Sequence, residues 1–371
     1  MNHPSTRDLF SDSYAEARSK FLAAAAKRGL RVESHLLPLA GAQGEVLATD
    51  VVRDGPDDAE RLLVVISGVH GLEGFCGSAI QTGLLGLDGD ERPCAGADTA
   101  ILYVHAVNPY GFSHLRRVTQ ENVDLNRNFV DFAQPLPVNP GYSEIHDLLL
   151  PPEWPPLATA EAGLEAYREQ HGARGLQRAI GLGQHAHEDG MFFGGSAATW
   201  SHATFRGILR RHAANARVVA SVDIHTGLGP YGVGERIYAS FEVDQIERAT
   251  RWWGALTSVH TGSSTSIPMT GPIQVGLTQE CAQARHLGIC LEFGTWPSER
   301  VTRALRAEHW LHRHGADATL AAAIKAEVKE AFYPAADDWK DMVWTQGRQA
   351  CVQALQGLAC DAPAGTAAES I

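Results

Sequence analysis

Five consecutive apolar residues, Leu62 to Ile66, end at Ser67-Gly68 and lead into the turn Val69-His70-Gly71-Leu72-Glu73-Gly74. A run this short, apolar at every position and rich in β-branched residues, reads as a strand buried on both faces. Three further runs follow the same plan. Ala100 to Val107 stops at Asn108-Pro109, Val218 to His225 at Thr226-Gly227, and Ile289 to Phe293 at Gly294. Between and around them lie stretches of helical spacing: Tyr14 to Lys27 before Gly29, Gly74 to Leu85, Glu161 to Ala179, Glu242 to Val259, and Glu299 to Phe332 with a break at Gly315. Strands alternating with helices predict an α/β fold, with a mostly parallel or mixed sheet covered on both faces. The many prolines between residues 131 and 160 mark a surface excursion. After Tyr333, Trp339 and Trp344 predict a segment packed on the body, and Asp361 to Ile371 is expected to fray.

Charge narrows the function classes. The chain carries 31 basic and 43 acidic residues, a net charge of −12, which opposes attraction to nucleic acid or anionic lipid. It lacks an apolar run of the roughly 18 residues that would suggest a membrane span. Met1 to Phe21 reads as a charged amphipathic segment rather than a leader, so a cytoplasmic location is expected. The six cysteines, Cys76, Cys94, Cys281, Cys290, Cys351 and Cys360, are scattered and form no C-x-x-C pair, so free thiols are expected rather than staples or a cysteine zinc site.

Chemistry gathers at the strand ends, where sites assemble in open α/β sheets. His70 and Glu73 lie three apart in a glycine-flanked turn, and both side chains can reach one ion; neutral imidazole and carboxylate suit zinc. The alternative is a solvated turn of unrelated polar residues. His225 ends a buried strand, where an unpaired polar group is costly, and so is a candidate third ligand. Asp223, two residues earlier on the same strand face, is placed to orient it, unless backbone groups satisfy both. Glu292 sits inside the apolar run Cys290-Leu291-Glu292-Phe293, poised either to accept a proton from an activated water or to pair structurally with an arginine. Arg116, Arg117, Asn126 and Arg127 fall in the run from Asn108 to Phe129, where guanidinium groups can clamp a carboxylate or steady an oxyanion, or simply decorate a surface loop.

In order along the chain, H-x-x-E, N-P-x-G, D-x-N-R-N-F, a late histidine and a final glutamate resemble the zinc metallocarboxypeptidase superfamily, which includes aspartoacylase and succinylglutamate desuccinylase. The likeness runs from Leu62 to Trp296. Ser67 to Phe75 and Gly-Met-Phe-Phe-Gly-Gly at 190–195 place it nearest a bacterial branch. The resemblance implies a mixed, mostly parallel eight-stranded sheet between helices. It also implies a catalytic core over 40–330 of one domain spanning 1–371, with an N-terminal helix and a C-terminal extension packed on it. It implies one Zn2+ per chain on His70, Glu73 and His225, with Glu292 as catalytic base. Arg117, or else Arg116, would stabilise the oxyanion, and Asn126 and Arg127 would grip a substrate carboxylate.

Tyr231 and Tyr238 lie too early to match a substrate-capping tyrosine, and none falls between Ser263 and Gly276. N-acyl amino acid deacylation therefore stands beside carboxypeptidase action. His185-Ala186-His187-Glu188-Asp189 reads as a solvated loop, and there is no H-E-x-x-H or G-x-S-x-G. The expectation is a zinc hydrolase of amide bonds in small molecules or peptides bearing a free carboxylate. The alternative is a catalytically silent zinc- or carboxylate-binding protein of the same fold. The sequence leaves the oligomeric state open, a homo-oligomer included.

Overall fold

A computed structural model describes residues 5–89, 96–240 and 245–360. Cys94, the segment Asp361 to Ile371 and the first residues of the helix expected from Glu242 lie outside these. The strands are β1 (Val32–Ala40), β2 (Val46–Asp54), β3 (Arg61–Ile66), β4 (Thr99–His105), β5 (Val218–Tyr231), β6 (Gly234–Tyr238) and β7 (Arg285–Gly294). They form one sheet in the order β1-β2-β4-β3-β5-β7-β6.

The central strands β4, β3, β5 and β7 run parallel to their neighbours in this group, whereas β1, β2 and β6 add antiparallel pairings at the two sides. The sheet is thus evenly mixed rather than mostly parallel, and among the described residues it has seven strands rather than eight. The parallel centre is what the continuous apolar runs predicted. The flanking strands escaped that reading because their patterns are diluted. β1 carries Pro38 and is largely exposed, and β2 buries Asp50, which is held by Arg18 (Nε to Oδ2 2.6 Å).

Helices cover both faces. Tyr14–Lys27 and Gly74–Gly86 lie on one side. The first buries Tyr14, Ala17, Phe21 and Ala25, spaced three and four apart, and Gly29 follows it in the left-handed region (φ 66°). The C-terminal helix Asp337–Cys360 also packs on this side, with Trp339 fully buried and its Nε1 donating to the Gly294 carbonyl (2.9 Å). Truncating a tryptophan so placed costs about 3–5 kcal/mol. Ser298–His314 and Ala318–Phe332 flank Gly315 as expected.

The proline-rich stretch needs correction. Asn139 caps a helix, Pro140–Leu149, whose Tyr142, Ile145 and Leu149 are buried, so the excursion includes a packed element. Asn-Pro at a helix start is a recognised signal, which the surrounding prolines obscured. The helix Ala158–Gly181 extends beyond the expected bounds and breaks at Gly172 (φ 75°). The five described cysteines are free. Among the described residues no helix is long and apolar enough to cross a membrane.

Candidate active site

The parallel strands deliver their polar ends to one edge of the sheet. Beyond β3, Gly68 turns the chain in the left-handed region (φ 66°), and His70 then caps the short helical turn Gly71–Glu73. Gly71 is obligatory there, since a Cβ would overlap the Gly111 and Phe112 backbone. The turn is tied to the arginine-bearing loop through its own amides: Gly71 N donates to the Arg117 carbonyl (3.1 Å) and Leu72 N to that of Arg116 (2.9 Å). Beyond β4, Asn108 caps the next turn by accepting from Gly111 N (2.9 Å). On β5 and β7, His225 and Glu292 lie directly opposite each other in register.

His70, Glu73 and His225 converge. One ligand atom from each lies within 4.8 Å of the others, and all three residues are buried. His70 Nδ1 is 2.9 Å from Glu73 Oε1, His225 Nδ1 is 3.0 Å from Glu73 Oε2, and the two Nδ1 atoms are 3.1 Å apart. Behind them, His70 Nε2 meets Asp124 Oδ1 at 3.2 Å and His225 Nε2 meets Asp223 Oδ2 at 2.9 Å. In the neutral form that metal ligation requires, the acceptor-only aspartates would hold each imidazole hydrogen on Nε2 and leave the Nδ1 lone pairs facing inward. In that form two lone pairs and a carboxylate point at one spot. A cation fits that spot chemically, and the aspartates fix the ring orientations that ligation requires.

Electrostatics agree. Four carboxylates, Glu73, Asp124, Asp223 and Glu292, gather here against the guanidinium groups of Arg117 and Arg127. Burial opposes ionisation of Glu73, yet the two imidazoles outweigh it and hold its carboxyl below the ordinary range. Burial likewise opposes charge on His225, but Asp223 and Glu73 draw its pKa well upward, so the site favours a positive charge. Glu292 behaves oppositely. Burial, reinforced by Glu73, pushes its carboxyl up to about 8, although its Oε1 accepts from Leu228 N (3.1 Å).

Arg117 donates from Nε to Asp124 Oδ2 (2.9 Å) and from Nη1 to Glu73 Oε1 (3.1 Å), linking both histidine partners. Arg127 is buried against the Gly181 and Asn126 carbonyls and the Met269 sulfur. Asn126 Oδ1 accepts from Ile273 N (3.0 Å). His70, Glu73, His225, Arg117, Asn126 and Arg127 line a cleft of about 1800 Å³, together with Phe192 and Glu292.

Arg116, offered with Arg117 for the oxyanion and among the candidates to clamp a carboxylate, is not brought there. Its side chain is 2% exposed and turned away, with Nε on Glu308 Oε1 (2.9 Å) and Nη2 on Asn122 Oδ1 (3.1 Å). Adjacent residues in a turn point apart, so only one of the two arginines reaches the cleft. Sequence reasoning also missed Asp124 as the partner of His70; its place as cap of the Leu125–Asn128 turn was the available signal. Tyr231 and Tyr238 line the cleft, but Tyr231 donates to Asp338 (3.1 Å) and Tyr238 is buried. Among the described residues, no other group of three His, Cys, Asp or Glu side chains converges as these do.

No curated protein matches the chain. Among solved structures it is similar to carboxypeptidase A from Helicoverpa armigera, with 12% identity over 86% of this chain and 74% of that one and a TM-score of 0.42. It is similar to bovine thrombin-activatable fibrinolysis inhibitor, with 12% identity, 86% and 97% coverage and a TM-score of 0.44. It is also similar to succinylglutamate desuccinylase from Chromobacterium violaceum, with 14% identity, 85% and 74% coverage and a TM-score of 0.37. One family model spans residues 10–346. The chain belongs to that family, described as protein of unknown function, DUF2817.

Proposed function

We propose that the chain is a zinc-dependent hydrolase of amide bonds, of the carboxypeptidase or N-acyl amino acid deacylase type, acting on a small molecule or peptide with a free carboxylate. The observation that carries this reading is the inward convergence of His70 Nδ1, His225 Nδ1 and Glu73 while both Nε2 atoms lie close against aspartates. His70, Glu73 and His225 are the residues that would hold the ion. A bound zinc would supply Lewis acidity, polarising the scissile carbonyl and acidifying a water.

The chain's own groups supply the rest. Glu292, with a carboxyl drawn toward neutrality, is suited both to take the proton of the attacking water and to return it to the departing amine. Arg117, cationic and fixed by Asp124 and Glu73, offers its remaining N–H groups to the charge that develops on the carbonyl oxygen. Asn126 and Arg127 are the groups for a substrate carboxylate, which is a stronger partner for Arg127 than the neutral Gly181 carbonyl it now holds. Zinc-loaded protein tested against N-acyl amino acids and short peptides checks the reading. Release of an amino acid by the native chain but not by Glu292→Gln is the expected result, and absence of turnover across the panel would count against it.

A further inference from the structure

Leu115 adopts a φ of 51°, a left-handed conformation that residues other than glycine rarely enter. Beyond this twist Arg117 reaches the cleft, while Arg116 turns to a second cavity, of about 350 Å³, that shares no lining residue with the cleft. Arg116 and Glu308 form its buried floor, 2% and 1% exposed, and Ala42 and His312 stand exposed at its rim. Tyr110, Leu115 and Leu311 supply apolar wall.

The ion pair at the floor has one group left over on each side. Glu308 Oε1 accepts from Arg116 Nε (2.9 Å) and from Lys325 Nζ (2.8 Å), and Arg116 Nη2 donates to Asn122 Oδ1 (3.1 Å). Arg116 Nη1 and Glu308 Oε2 are buried and find no partner in the chain. Burial opposes ionisation of Glu308, but Arg116 and Lys325 outweigh it and hold its carboxyl below the ordinary range. The leftover donor is therefore cationic and the leftover acceptor anionic. Either is costly to leave unpaired away from water, and buried polar groups almost always have a partner. The cavity that both residues line is where such a partner can enter.

We infer that this cavity binds a free α-amino acid with an apolar side chain. Its carboxylate accepts from Arg116 Nη1, its ammonium donates to Glu308 Oε2, and its side chain lies against Tyr110, Leu115 and Leu311. A ligand with the carboxylate alone would leave the Glu308 oxygen unpaired beside a second negative charge, and one with the amine alone would leave the guanidinium unpaired. The volume lies at the lower end of the roughly 300–1,000 Å³ found for small-molecule pockets. The inference stands apart from the hydrolase reading, since none of its residues belongs to the cleft.

The test is titration calorimetry of the full chain with L-leucine, with 4-methylpentanoate, which lacks the amine, and with 3-methylbutylamine, which lacks the carboxylate. The native chain should bind leucine about tenfold or more tightly than either analogue. Ala42→Trp places a large side chain at the exposed rim and leaves the buried pair intact. It should melt as native yet weaken leucine by about tenfold or more. Glu308→Gln keeps an acceptor for Arg116 Nε and removes the charge, so the preference for leucine over 4-methylpentanoate should fall to about threefold or less. No leucine binding by the native chain, either analogue bound as tightly as leucine, or leucine binding unaltered by Ala42→Trp overturns the inference. An unaltered preference in folded Glu308→Gln overturns it as well.

Discussion

The Nδ1 atoms of His70 and His225 face each other 3.1 Å apart, while their Nε2 atoms lie against Asp124 and Asp223. Glu73 brings a carboxylate to the same spot, and together with the aspartates it draws positive charge there. The chemistry of the donor set suits a cation, and the consequences are measurable.

The aspartates behind the histidines should set metal affinity. Asp124→Asn and Asp223→Asn leave the candidate ligands intact but weaken the hold on ring tautomer and orientation. Each should loosen zinc by about 10–100-fold in competition with a chromophoric chelator. Native affinity in both variants would mean that the rings are fixed by something else.

Glu292→Gln should separate binding from turnover. Its carboxylate is the group drawn up to about 8 by burial and by Glu73, and the amide cannot exchange a proton. Zinc content should stay near native while kcat falls by about 10²–10⁴-fold. Equal loss of zinc and activity would instead place Glu292 among the ligands.

Arg116 should matter to stability. Glu308 is its buried partner and also accepts from Lys325 Nζ (2.8 Å). Glu308→Ala strands a buried guanidinium and should lower the unfolding free energy in urea by about 3–5 kcal/mol. Adding Arg116→Met should recover part of that loss, because Lys325 keeps the His114 and Leu115 carbonyls. No recovery in the double variant would mean that the pair is not what the site supports.

Acid should weaken the fold above the ordinary carboxylate range. His105 and His286 are buried, and burial lowers each from 6.5 to about 4. Between those values the unfolded chain binds the extra protons, so stability is full above pH 6.5 and falls as pH drops toward 4. Each histidine contributes roughly 3 kcal/mol to that fall at its limit. Urea midpoints taken from pH 8 to pH 4.5 should show it, and His105→Gln should flatten the slope; a midpoint constant over that range would contradict the account.

Much of this was legible in the chain because it depended on local pattern. The apolar runs ending at Ser67, Asn108, Thr226 and Gly294 placed the central strands, and the placement of polar residues at their ends brought His70, Glu73, His225 and Glu292 into one neighbourhood. What escaped depended on contacts distant in sequence. β1 and β2 are stabilised by pairing and by an ion pair between Arg18 and Asp50, 32 residues apart, rather than by an apolar stripe. Which of Arg116 and Arg117 faces the cleft was decided by Glu308, 192 residues from Arg116, whose partner role no local spacing announces.

Metal content tests the central claim most directly. The native chain and His225→Ala, purified without chelator, equilibrated with equimolar zinc and desalted, should be assayed by elemental analysis. The account predicts about one zinc per native chain and little or none in the variant. A native chain that retains no metal, or a variant that retains as much, would contradict it.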